Sequence, residues 1–158
     1  MKLRSVLVLL ISHAVVAALG FAIGIYTLPL LIAPTPPSTA QVQANAGRAL
    51  HTAQFRRDLK GSDALHWGEG KLVVGPDAIT LLGKLAPGPD YKLYLSPRFV
   101  ETEAEVEALK AQMLRVGDVK TFSNFIVPLP PGVDVEKYDT VLVWCESFHQ
   151  FITAAKYR

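Results

Sequence analysis

From Ser5 to Ala33 the chain carries no Asp, Glu, Lys or Arg. No other stretch limits the fold as strongly. As a helix, Val6 to Leu28 rises about 35 Å, enough to cross a hydrocarbon core of roughly 30 Å. Lys2 and Arg4 precede the run, and no Lys or Arg follows it until Arg48. The positive-inside rule therefore puts the N-terminus in the cytoplasm and the rest of the chain outside it, periplasmic or extracellular. A secretory signal peptide is the rival reading, because Ser38-Thr39-Ala40 and Ala44-Asn45-Ala46 resemble cleavage sites. The apolar part of such a peptide is about 7–15 residues long, and this run is far longer. The sequence thus predicts a cytoplasmic tip and uncleaved anchor over residues 1–33, in contact with the lipid bilayer through residues 6–28. Gly20 and Gly24 form a small-xxx-small pattern inside the span. That pattern lets two helices approach closely, so a homodimer through this helix is one expectation. Glycine is also ordinary in membrane helices.

Ala33-Pro-Thr-Pro-Pro-Ser-Thr-Ala40 reads as an extended, semi-rigid spacer. Gln41 to Lys60 has weak helical character, so residues 34–54 read as spacer and stem, and residues 55–158 as one exported domain. A net charge of +2 over 158 residues, with no block of like charge and no interleaving of aromatic and basic residues, points away from nucleic acid.

After Gly61 the pattern is mostly β. Gly75-Pro-Asp77 and Gly88-Pro-Asp90 are two copies of one turn chemistry. They separate Gly70–Val74, Ala78–Leu85 and Tyr91–Ser96, which read as three successive strands of a meander. Thr102-Glu-Ala-Glu105 fits a capping box, and Val106, Leu109 and Met113 form an apolar stripe. A helix from Thr102 to Arg115, stopped by Gly117, follows from these signals. Lys120–Val127, Tyr138–Cys145 and Phe148–Ala155 read as further strands. In the Tyr138–Cys145 strand Val141, Val143 and Cys145 share one face while Leu142 and Trp144 share the other. Both faces are apolar, which predicts a central strand covered on both sides. The fold class expected is mainly β: a small β-sandwich or barrel with one inserted helix, preceded by a single transmembrane helix.

No nucleophile elbow, phosphate loop, paired-cysteine metal site or two-histidine metalloprotease helix is present. Gly68-Glu-Gly70 reads as a hairpin turn or bulge, and Glu103, Glu105 and Glu107 as a solvated helix face. The single cysteine, Cys145, has three open fates outside the cytoplasm: buried and inert, paired with another molecule, or used in chemistry. A reactive thiol needs an electropositive, partly open surrounding. His149 lies four residues on, about 13 Å away along a continuous strand, so His66 is the better polar neighbour. Tyr91, Tyr94, Tyr138, Trp67 and Trp144 are core or pocket aromatics.

His66 with Gly68 and Gly70, Gly88-Pro89-Asp90, Tyr94-Leu-Ser96, Gly117, and Tyr138…Val143-Trp144-Cys145-Glu146…Phe148…Phe151…Ala154 together resemble the DM-thirteen domain, over about Phe55 to Tyr157. That family is described as an electron-transfer domain and often accompanies DOMON domains. The resemblance implies a redox role, with the cysteine matching Cys145 as the redox or cofactor-contacting residue; His66, the polar neighbour chosen above, is the second residue expected at any cofactor. Gly88, Pro89, Asp90, Trp144 and Glu146 are the motif residues. The acidic helix between the strands, and His149-Gln150 before Phe151, depart from the family pattern. No residue pattern selects a cofactor. A redox partner protein is one expectation. The alternative is a non-catalytic binding or envelope-structure module that recognises a protein or polysaccharide.

Overall fold

The computed structural model of the chain describes residues 2–158; Met1, the first residue of the expected cytoplasmic tip, lies outside them. The uncharged run forms one helix, α1 (Leu3–Ile32), long and apolar enough to cross a membrane and fitting either a single-pass anchor or a signal sequence. The proline-rich segment ends at Ser38, whose hydroxyl and backbone exchange a capping box with Gln41 to start α2 (Thr39–Ala46).

Eight strands follow: β1 (His51–Phe55), β2 (Gly68–Val74), β3 (Ala78–Leu85), β4 (Tyr91–Ser96), β5 (Leu114–Val119), β6 (Phe125–Pro128), β7 (Thr140–Cys145) and β8 (Gln150–Lys156). They form two antiparallel four-stranded sheets, ordered β1-β2-β3-β6 and β5-β4-β7-β8. The two pack face to face. Phe55, Leu72, Ile79 and Leu81 of the first meet Leu93, Leu95, Val141 and Val143 of the second. The mainly β fold is therefore as the sequence predicts.

β7 is central, between β4 and β8, and all six of its residues are buried. Its parity holds: Val141, Val143 and Cys145 join the core between the sheets. Leu142 and Trp144 face a second cluster, closed by the short helix α3 (Glu103–Leu109) through Val106 and Leu109.

Several local expectations are corrected. The meander breaks after β3, because the Gly88-Pro-Asp90 turn carries the chain to the other sheet. The helix ends at Leu109 and a 3-10 turn follows over Lys110–Gln112. Leu114 and Arg115 belong to β5, and Gly117 is a strand residue beside a bulge rather than a helix stop. Thr102 accepts from the Glu105 amide, but the Glu105 carboxylate takes the Glu101 N–H, so the capping box is half formed. The stem contains a strand, β1, within the stretch read as weakly helical. Gly68-Glu-Gly70 begins β2 rather than making a turn. Gly70 pairs with Gly83 at φ +128°, where a Cβ would lie 2.4 Å from the Gly83 Cα.

Candidate functional site

Cys145 is the last residue of β7, directly opposite Tyr91 on β4. Beyond it the chain turns over Glu146–His149 and returns as β8. The thiol is buried at 3 % exposure, yet it lines a cavity of about 470 Å³. From the domain come His66, Tyr91, Phe148 and Gln150; from α1 come Ala22, Ile25 and Tyr26. The structure thus brings Cys145 and His66 to one cavity, although no hydrogen bond joins them among the described residues.

Pro87, Gly88 and Pro89 form one wall, and Asp90, the last residue of that turn, holds the site in register. Gly88 is required sterically, since a Cβ there would sit 2.4 Å from the Tyr91 hydroxyl oxygen. The Asp90 carbonyl accepts the Glu146 N–H at 3.0 Å. Its carboxylate accepts Ser147 Oγ at 2.9 Å and pairs with Lys92 Nζ at 2.7 Å. The turn before β4 therefore clamps the turn after β7.

Burial pushes the Cys145 thiol above its ordinary range. Backbone N–H groups of the Glu146–His149 turn favour the thiolate but do not outweigh that desolvation. Burial thus weighs against the thiolate, the opposite of the setting that a reactive thiol needs. Burial also pushes the Tyr91 hydroxyl strongly up, with Cys145 adding to the effect. His66 Nδ1 lies 2.9 Å from Asp63 Oδ2, while Asp63 Oδ1 accepts the Leu65 and His66 amides at 2.7 and 2.8 Å. These contacts, the His66 ring first, hold the Asp63 carboxyl below its usual range.

Residues 39–157 match the family model described as electron transfer DM13. The chain belongs to the electron transfer DM13 family. No curated protein and no solved structure matches it. The DM13 match begins at α2, so it takes in β1 as well as the segment from Phe55 that carries the resemblance.

On the opposite face of the same DM13 strand, Trp144 is fully buried and Glu146 closes a polar network. Tyr94 donates its hydroxyl to Glu146 Oε1, and Lys110 Nζ reaches Glu146 Oε2 at 2.7 Å. The ammonium lies 4.7 Å from the Trp144 ring centroid. Burial alone would raise the Glu146 carboxyl, but Lys110 and Tyr94 outweigh it and hold the group below the usual range. His149 goes to this side too. It sits edge-on to Trp144 and pairs with Glu107 at 2.9 Å, away from Cys145. The turn at Glu146–His149 separates it from the thiol by orientation.

Of the aromatics weighed from sequence, Tyr91 alone lines the Cys145 cavity, whereas Trp67 stacks beneath Arg57. Asp63, Phe148 and Gln150 escaped the sequence reading as site residues. Asp63-x-x-His66 was the one legible signal, an i,i+3 acid–imidazole pair in a loop. Among the described residues no group of three or more His, Cys, Asp and Glu side chains could hold a metal ion.

Proposed function

We propose that the chain is a single-pass, membrane-anchored module with its DM13 domain on the extracytoplasmic side, and that it transfers electrons at the Cys145 cavity. The observation that carries this reading is that the sole cysteine of an electron-transfer DM13 chain shares a cavity with an imidazole and a tyrosine hydroxyl. Because burial keeps the thiol protonated, it is a poor nucleophile for disulfide exchange at neutral pH. Oxidation of Cys145 by a redox partner protein must then release its proton together with the electron, and the His66 imidazole in the same cavity takes the proton up. Cys145 is the redox residue and His66 its proton partner. A redox partner protein would dock on the domain beside the cavity. Gly20 and Gly24 lie about half a turn around α1 from the face carrying Ala22, Ile25 and Tyr26, which leaves them clear for a second copy in a dimer.

The raised thiol also favours a second reading, a non-catalytic module whose cavity recognises a protein or polysaccharide partner with Cys145 as a wall residue. Visible spectrum, metal content and the alkylation rate of Cys145 against pH, recorded on the purified full chain, separate the two. A chromophore or redox signal that Cys145→Ser removes supports electron transfer. A colourless, redox-silent protein whose thiol reacts only after unfolding supports the binding module.

A further inference from the structure

The cavity at Cys145 is closed on one side by α1. Ala22, Ile25 and Tyr26 line it, and Pro29 continues the same stripe into the adjoining cleft against Gly88 to Lys92. Positions three and four apart share one helix face, so the domain rests on the upper end of the apolar helix. Ala22 lies about 9 Å below Leu28 along the axis. Tyr26 is the amphipathic aromatic at this end, the residue type that settles at headgroup level. With α1 across the bilayer, the mouth of the cavity is at the interface and its helix wall descends among the acyl chains. The domain supplies matching apolar groups at the rim: Leu65 and Phe148 line the cavity, yet are 56 % and 50 % exposed. Such side chains sink about 5–10 Å into the boundary between headgroups and acyl chains.

The interior specifies a guest. A volume of about 470 Å³ is the size of a small-molecule site. A carboxylate only accepts hydrogen bonds, so His66 Nδ1 donates to Asp63 across their 2.9 Å contact. In the tautomer with its proton on Nδ1, the ring offers Nε2 as an acceptor. The site asks for a guest with a hydroxyl to donate, an apolar body to lie against Tyr91, Phe148 and Ile152, and a route through lipid. An acyl chain has no such hydroxyl, and a polysaccharide has no such route.

Resting on the membrane-anchored electron-transfer reading, we infer that the Cys145 cavity binds a membrane-borne quinol. A ring hydroxyl donates to His66 Nε2, the ring lies against Cys145 and Tyr91, and the isoprenoid tail passes between α1 and the Leu65–Phe148 rim into the outer leaflet.

The test uses the full chain in phosphatidylcholine nanodiscs and a photoreactive azido analogue of decylubiquinol, with labelled peptides mapped by mass spectrometry. Saturable labelling is expected on α1 and on the β7–β8 turn, competed by unlabelled decylubiquinol. His66→Phe should weaken competition about tenfold, the worth of one lost hydrogen bond. Ala22→Trp, which fills the cavity from the helix side without touching the domain core, should abolish labelling. Leu31→Trp, on the opposite face of α1 and outside the cavity lining, should leave it intact. Labelling that does not saturate, that Ala22→Trp leaves unchanged, or that gives way to a tightly retained phospholipid would overturn the proposal. Cys145→Ser separates this inference from the redox reading. Retained quinol binding with a lost redox signal supports both, and a redox signal in wild type without quinol binding defeats this inference alone.

Discussion

Cys145 and Glu146 are neighbours in the chain and face opposite sides of one sheet, so their environments are set independently. Burial raises the Cys145 thiol. Maleimide alkylation of the folded protein should therefore be slow at pH 7 and still be accelerating above pH about 8.5, the ordinary thiol value. Denaturant should abolish that lag. Glu146 behaves in the opposite sense. Its folded value lies below its unfolded value, so its contribution to stability is present above the ordinary carboxylate range and fades as pH falls through the folded value. Glu146→Gln should cost about 1–3 kcal/mol at pH 7 by weakening the bonds to Lys110 and Tyr94. Urea midpoints of the two proteins should draw together as pH falls below the ordinary carboxylate range, and a gap that does not narrow would assign the cost to packing. At this scale the sequence was legible where period-two parity governs. It placed Cys145 and Trp144 on opposite faces. It could not place Asp63 against His66 or Phe148 at the cavity, because loop geometry rather than periodicity puts them there.

The strands show why some elements were readable and others hidden. β7 announces itself because both faces are apolar. β1 hides because His51-Thr-Ala-Gln-Phe55 lies at a sheet edge and alternates weakly, with three of its residues partly covered or buried and two exposed. β5 hides because Val106, Leu109 and Met113 keep helical spacing up to its start, and the break at Lys110–Gln112 carries no glycine or proline. The two Gly-Pro-Asp turns are alike in chemistry and differ in outcome. Gly75–Asp77 closes a hairpin, whereas Gly88–Asp90 passes between sheets, a choice made by long-range ties from Asp90 to the Glu146–Ser147 turn. The Gly68–Gly70 segment reads as a turn for a similar reason, since the close approach of Gly70 to Gly83 across β2 and β3 is tertiary. Gly70→Ala must force a side chain into a positive φ and into Gly83, and should cost about 1–3 kcal/mol or more in thermal melts. Leu109→Ala opens the cluster under α3 and should cost about 2–5 kcal/mol, with the inner core and the Cys145 cavity unaffected.

At the scale of the whole molecule an apolar helix meets a β-sandwich, and the Cys145 cavity lies at their seam. A reporter fused after Arg158 should be active only outside the cytoplasm, and cytoplasmic activity would reverse the orientation. Deleting α1 removes three wall residues of the cavity while leaving both β-sheets complete. The truncated domain should therefore fold with near-native cooperativity by circular dichroism and alkylate faster at Cys145 than the full chain. The central claim is electron transfer at Cys145, and film voltammetry of the full chain in a supported bilayer tests it most directly. A reversible redox wave in the wild type that vanishes in Cys145→Ser, with the fold intact by circular dichroism, is the result predicted. No wave in the wild type, or one that survives in Cys145→Ser, would contradict it.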